Sequence, residues 1–120
     1  MADALTRTMR ARVSLIRDGA QYHDQVYYEP NDTYTESTHQ RVVLSTNMAS
    51  PQEVDMAGVA TAATLFLQTD RDILVAVNNA SYLWPVNEHG ALVLVGAFTH
   101  LYVQNESTTN QAVVDMIVTD

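Results

Sequence analysis

Apolar and polar residues alternate with a period of two over short stretches, and Gly, Pro, Asn and Asp clusters break the pattern about every 6 to 9 residues. Arg10, Arg12 and Ser14 alternate with Ala11, Val13 and Leu15, and Asp18-Gly19 leads into residues 22–29, which predicts a first hairpin. Pro30 is expected to stop its second strand, and residues 31–39, polar apart from Tyr34, to form an exposed loop. Residues 40–47 read as a strand, and 53–56 as a short one that Gly58 ends. Residues 61–68 and 73–77, joined by Thr69-Asp70-Arg71-Asp72, read as a hairpin. Pro85 places residues 81–86 at a sheet edge or bulge.

After a turn over 87–90 come strands over 91–95 and 98–104, separated by a bend at Gly96-Ala97, and then a polar turn over 105–110. The last strand, 111–118, has Val113 and Ile117 on one face and Ala112, Val114, Met116 and Val118 on the other. A strand apolar on both faces is either central in its sheet or meets another subunit. Nine or ten short antiparallel strands predict an all-β, jelly-roll-like antiparallel β-sandwich. In 120 residues that leaves one domain, over 10–120, preceded by a flexible N-terminal arm over 1–9.

Charge divides unevenly along the chain. Residues 1–41 carry five of the six Arg against six acids, net -1, and residues 42–120 carry one Arg against eight acids, net -7. Arg7, Arg10 and Arg12, with Arg17 beside them, are therefore placed to dock on the acidic body of a neighbouring copy, unless this end is simply solvated. With Val113 and Ile117, Arg7, Arg10 and Arg12 make up the subunit-contact candidates. A formal net charge of -8 repels phosphate backbones, so no nucleic-acid partner is expected. The apolar runs at 59–67 and 91–98 fall short of the ~18 to 20 residues that span a bilayer, and residues 1–12 lack the apolar run of an export signal. No membrane association is expected.

Reactive chemistry is sparse. There is no Cys and no Lys, and four Gly leave little for a phosphate-cradling loop. His23, His39, His89 and His100 lack the mutual spacing of a metal site and read as solvated or sheet histidines. Asp70 and Asp72 resemble a fragment of a calcium loop, but no Gly or bidentate Glu follows at the required positions, so they read as turn residues. Glu53 and Asp55 read as a solvated face, and the Asn-x-Ser/Thr triplets at Asn31, Asn79 and Asn105 as turn chemistry. No catalytic residue, metal or cofactor is expected. Tyr82 and Trp84 are the ligand-binding candidates, as an aromatic platform for a sugar, against the plainer reading of core and rim packing.

The segments VATAATLFLQTDRDILVAVNN, SYLWPV and GALVLVGAFTHLYVQNESTTNQAVVDMIV give residues 55–120 a rhythm that resembles small structural proteins of tailed-phage virions. The resemblance implies a non-enzymatic β-sandwich present in many copies, foremost a capsid decoration (cement) protein that self-associates and stabilises the particle. A tail or baseplate component is the alternative within the class. Its implied partners are copies of itself and the major capsid protein or tail proteins, in a virion assembled in the host cytoplasm. Outside that class stand a carbohydrate-binding module using Tyr82 and Trp84 and a metal-dependent enzyme of the cupin kind.

Overall fold

The computed structural model describes residues 6–17 and 19–120, with side chains at Thr6, Thr8, Arg10 and from Tyr34 onward. Their regular structure is ten β-strands, with no helix among the described residues. The chain divides into two compact units, Met1–Thr35 and Glu36–Asp120.

The first unit is a two-stranded antiparallel ribbon of β1 (Thr6–Arg17) and β2 (Ala20–Thr33), with Gly19 at a φ of 78° where the chain reverses. Of the expected arm, residues 1–5 lie outside the described residues, whereas Thr6–Met9 begin β1. Pro30 does not end the second strand as expected. The register passes from Met9↔Glu29 to Arg7↔Asp32, so Pro30 and Asn31 lie opposite Thr8 alone. Such a bulge is where a residue without an N–H costs the ladder least. The loop expected over 31–39 shrinks accordingly, to the residues between Thr33 and Ser37.

The second unit is a sandwich of two antiparallel four-stranded sheets. In the first sheet β3 (Ser37–Leu44), β10 (Ala112–Thr119), β5 (Ala62–Thr69) and β8 (Ala91–Phe98) lie in that order. In the second the order is β4 (Gln52–Glu53), β9 (Leu101–Asn105), β6 (Ile73–Val77) and β7 (Trp84–Val86). Leu65, Leu67, Val114, Met116 and Val118 of the first sheet share one buried core with Ile73, Val75, Leu101 and Val103 of the second. Burying such side chains between two sheets is the main force holding the layers together.

Strand β10 is central, as its pattern implied, and pairs with β3 from Ala112↔Leu44 to Thr119↔Ser37. That ladder holds the polar start of β3, where Ser37 and His39 are exposed, in strand conformation without any apolar pattern of its own. Segments β5 and β6 do not form the expected hairpin. Asp70 remains bonded to β10, with Asp70 N–H donating to Val113 O at 3.2 Å and Val113 N–H donating to Asp70 Oδ1 at 2.7 Å. The chain then crosses, and β6 pairs with β7 and β9 in the other sheet.

The strand expected over 98–104 is likewise divided. Phe98 and Leu101, three apart and so on opposite faces of any single strand, are both buried in the one core because the chain changes sheets between them. Asn78 secures the crossing, its Oδ1 accepting from Thr99 N–H at 2.9 Å and its own N–H donating to His100 O at 2.8 Å. The bend at Gly96-Ala97 is a bulge within β8, because Thr64↔Val95 is followed by Ala62↔Phe98. Of the short strand expected over 53–56 only Glu53 lies in β4; Val54 N–H still donates to Leu101 O at 2.8 Å, and Val54 and Met56 enter the core from beyond the strand's end.

Candidate functional site

Two apolar surfaces of the second unit stand out among the described residues. The first is a groove of about 290 Å³ lined by Val75, Ala76 and Val77 of β6, by Tyr82 and Trp84, and by Leu92 and Leu94 of β8. Strands β7 and β8 are each the last of their sheet, and the groove opens between them. Local chemistry sets the aromatics there. Asn79 Oδ1 accepts from Ser81 N–H at 2.9 Å, and Tyr82 N–H donates to Asn79 O at 3.2 Å, a turn that delivers the chain to a three-residue edge strand containing Pro85. Trp84 stands opposite Val75, and Trp84 and Tyr82 are 67% and 77% exposed.

The structure thus brings both ligand-binding candidates into one groove. Leu92, Leu94, Val75 and Val77, which complete it, had the sequence pattern of ordinary core residues. Among the described residues no charged or amide side chain lines the groove. A sugar on an aromatic platform also needs hydrogen-bonding groups for its hydroxyls, so this lining suits an apolar side chain better.

The second surface is the outer face of the first sheet. Cross-strand pairing sets His39, Ile117, Phe66 and Val93 in one row and Ser37, Thr119, Thr64 and Val95 in the next. Thr64 and Thr119 are buried and hydrogen-bonded through their hydroxyls. Ile117 is 42% exposed, Val95 45% and Val43, opposite Val113, 54%. Between the Val43–Val113 pair and the Ile117 row lies one ion pair, Arg41 Nε to Asp115 Oδ1 at 2.9 Å. That hydrogen bond, with the carboxylate's charge, raises the Arg41 guanidinium further above its ordinary pKa. Val113 and Ile117 therefore share this face. Arg10 is exposed on β1, and the side chains of Arg7 and Arg12 lie outside the described residues.

The polar candidates are occupied structurally. Asp70 receives Val113 N–H, and Asp72 Oδ1 receives Glu88 N–H at 2.7 Å, so each carboxylate ties its turn to another segment. Glu53 Oε1 lies 2.7 Å from His100 Nδ1, on an exposed surface where His100 stacks on Tyr102 with ring centroids 6.3 Å apart. Among the described residues no group of three or more His, Cys, Asp or Glu is placed to hold a metal ion.

His89 occupies the third position of a turn closed by Gly90 N–H donating to Asn87 O at 2.7 Å, with a φ of 62°. Glycine is the ordinary residue there, so His89→Gly is expected to raise unfolding free energy by about 0.5 to 1 kcal/mol, measured by urea titration. The gain is the left-handed strain relieved less the larger chain entropy of glycine.

Compared with models of known protein families the chain matches none, and no curated protein matches it in sequence.

Proposed function

We propose that this chain is a non-enzymatic structural protein that functions as a self-associated assembly, with a capsid decoration protein of a tailed-phage virion as the foremost assignment. The observation that carries the reading is the outward apolar row of the first sheet, Ile117, Phe66 and Val93, flanked by Val95. A patch of this kind on an otherwise acidic protein is the mark of a protein–protein interface. The strand order supports a jelly roll. In the second unit every connection except β6 to β7 passes from one sheet to the other, as in two interleaved Greek keys. Jelly rolls of eight strands are common in viral shells. The virion assignment itself rests on the rhythm of residues 55–120 and on this strand order.

The test places a charge in the row. Ile117→Glu leaves the monomer folded, since the side chain is already partly in water, but buries a carboxylate in the assembly. The expected result is at least a 100-fold weaker association in sedimentation equilibrium, with an unchanged far-UV circular dichroism spectrum. An Ile117→Glu variant that assembles as tightly as the parent chain removes this face from the interface.

A further inference from the structure

Resting on the self-association proposed above, we infer that the free edge of β8, with the Trp84 groove beside it, receives strand β1 from a second copy of this chain. Exposed strand edges invite pairing, and proteins blunt them with charge, proline or shortness. Three of the four sheet edges in the second unit are blunted in this way. Strand β3 carries His39 and Arg41, β4 is two residues long with Glu53, and β7 is three residues long with Pro85. Strand β8 (ALVLVGAF) includes neither a charge nor a proline, and over residues 91–95, ahead of its bulge at Gly96-Ala97, its edge is regular.

Its open side adjoins an apolar groove to which β8 contributes Leu92 and Leu94. An unpaired backbone edge next to an apolar pocket is the arrangement that recognises an added strand, with main-chain hydrogen bonds for affinity and the pocket for a side chain. A small apolar ligand would leave the edge unpaired.

Charge identifies the strand. The turn that opens β8 holds Glu88, whose N–H is bound by Asp72, and Asp70 lies in the same β5–β6 connection, with Arg71 the one cation among them. Strand β1, TRTMRARVSLIR, carries four Arg and no acid and alternates apolar residues with Arg from Met9 to Val13. Within its own sheet it pairs with β2 alone. Each copy thus offers one basic strand and one uncharged edge flanked by acids. The resulting contact is heterologous and closes a ring when the rotation between copies permits.

The chain's lack of Cys makes the test direct. Val13→Cys and Val95→Cys lie near the middle of β1 and β8, so pairing in either strand direction brings them close. An equal mixture of the two full-length variants is treated with a short bis-maleimide. The expected product is a mixed dimer dominant over either homodimer. Trp84, the sole tryptophan, should shift its emission to shorter wavelength as wild-type copies associate. Oligomers that form with no mixed cross-link, or with Trp84 emission constant, overturn the β1–β8 contact while leaving self-association standing. A chain that stays monomeric overturns both.

Discussion

Replacing Asn105 by alanine is expected to lower the unfolding free energy by about 3 kcal/mol, a fall in melting temperature of roughly 12 to 24 °C for a unit of this size. Asn105 is 2% exposed at the end of β9 and has a partner for each side-chain polar group. Its Nδ2 donates to Ser45 O at 3.1 Å and to Asn110 O at 2.8 Å, and its Oδ1 accepts from Ser107 N–H at 3.0 Å. Alanine leaves those backbone groups without these bonds next to the core, and each costs about 1 to 3 kcal/mol if no water reaches it. Asn105→Asp is expected to do at least as much damage, because it keeps the acceptor, loses both donated bonds and buries a charge. Differential scanning calorimetry of the two variants checks both.

Gly90→Ala is the second large effect, again near 3 kcal/mol. A Cβ at this position would lie 2.6 Å from the Asn87 carbonyl oxygen, a backbone atom that cannot swing aside as a side chain does. Gly90 N–H donates to that same oxygen, and Gly90 O accepts from Thr69 N–H at 3.1 Å, so relaxation sacrifices the turn or its link to β5. Gly96→Ala is the control. Nothing lies within 4 Å of a Cβ built there, and stability should change by less than about 1 kcal/mol. Equal losses in the two variants, read from urea midpoints, would contradict the steric account.

The sequence announces individual strands better than their partners. Residues 73–77 coincide with β6, and the apolarity of both faces of β10 correctly signals its central place. Period-two alternation reports that a segment is extended and which residues share a face, but not which sheet it joins. That is why β5 and β6 look like a hairpin: the Asp70–Val113 bonds that send them apart come from a strand more than forty residues away. Pro30 misleads for a related reason, since a proline stops a ladder only where its missing N–H is needed.

The groove is half legible. Pro85 marks an edge and so points to Tyr82 and Trp84, whereas the pattern of residues 91–95 says only that they form a strand, and the position of β8 at the end of a sheet follows from long-range pairing alone. The Asn-x-Ser triplets at Asn79 and Asn105 are legible in full, each Asn side chain accepting from the N–H two residues on.

Sedimentation equilibrium of the purified full-length chain tests the central claim most directly. At about 10 µM, the account predicts a single species at an integral multiple of the chain mass, as expected for a dissociation constant near 10 nM or tighter. A monomer whose mass stays constant up to the solubility limit would contradict it.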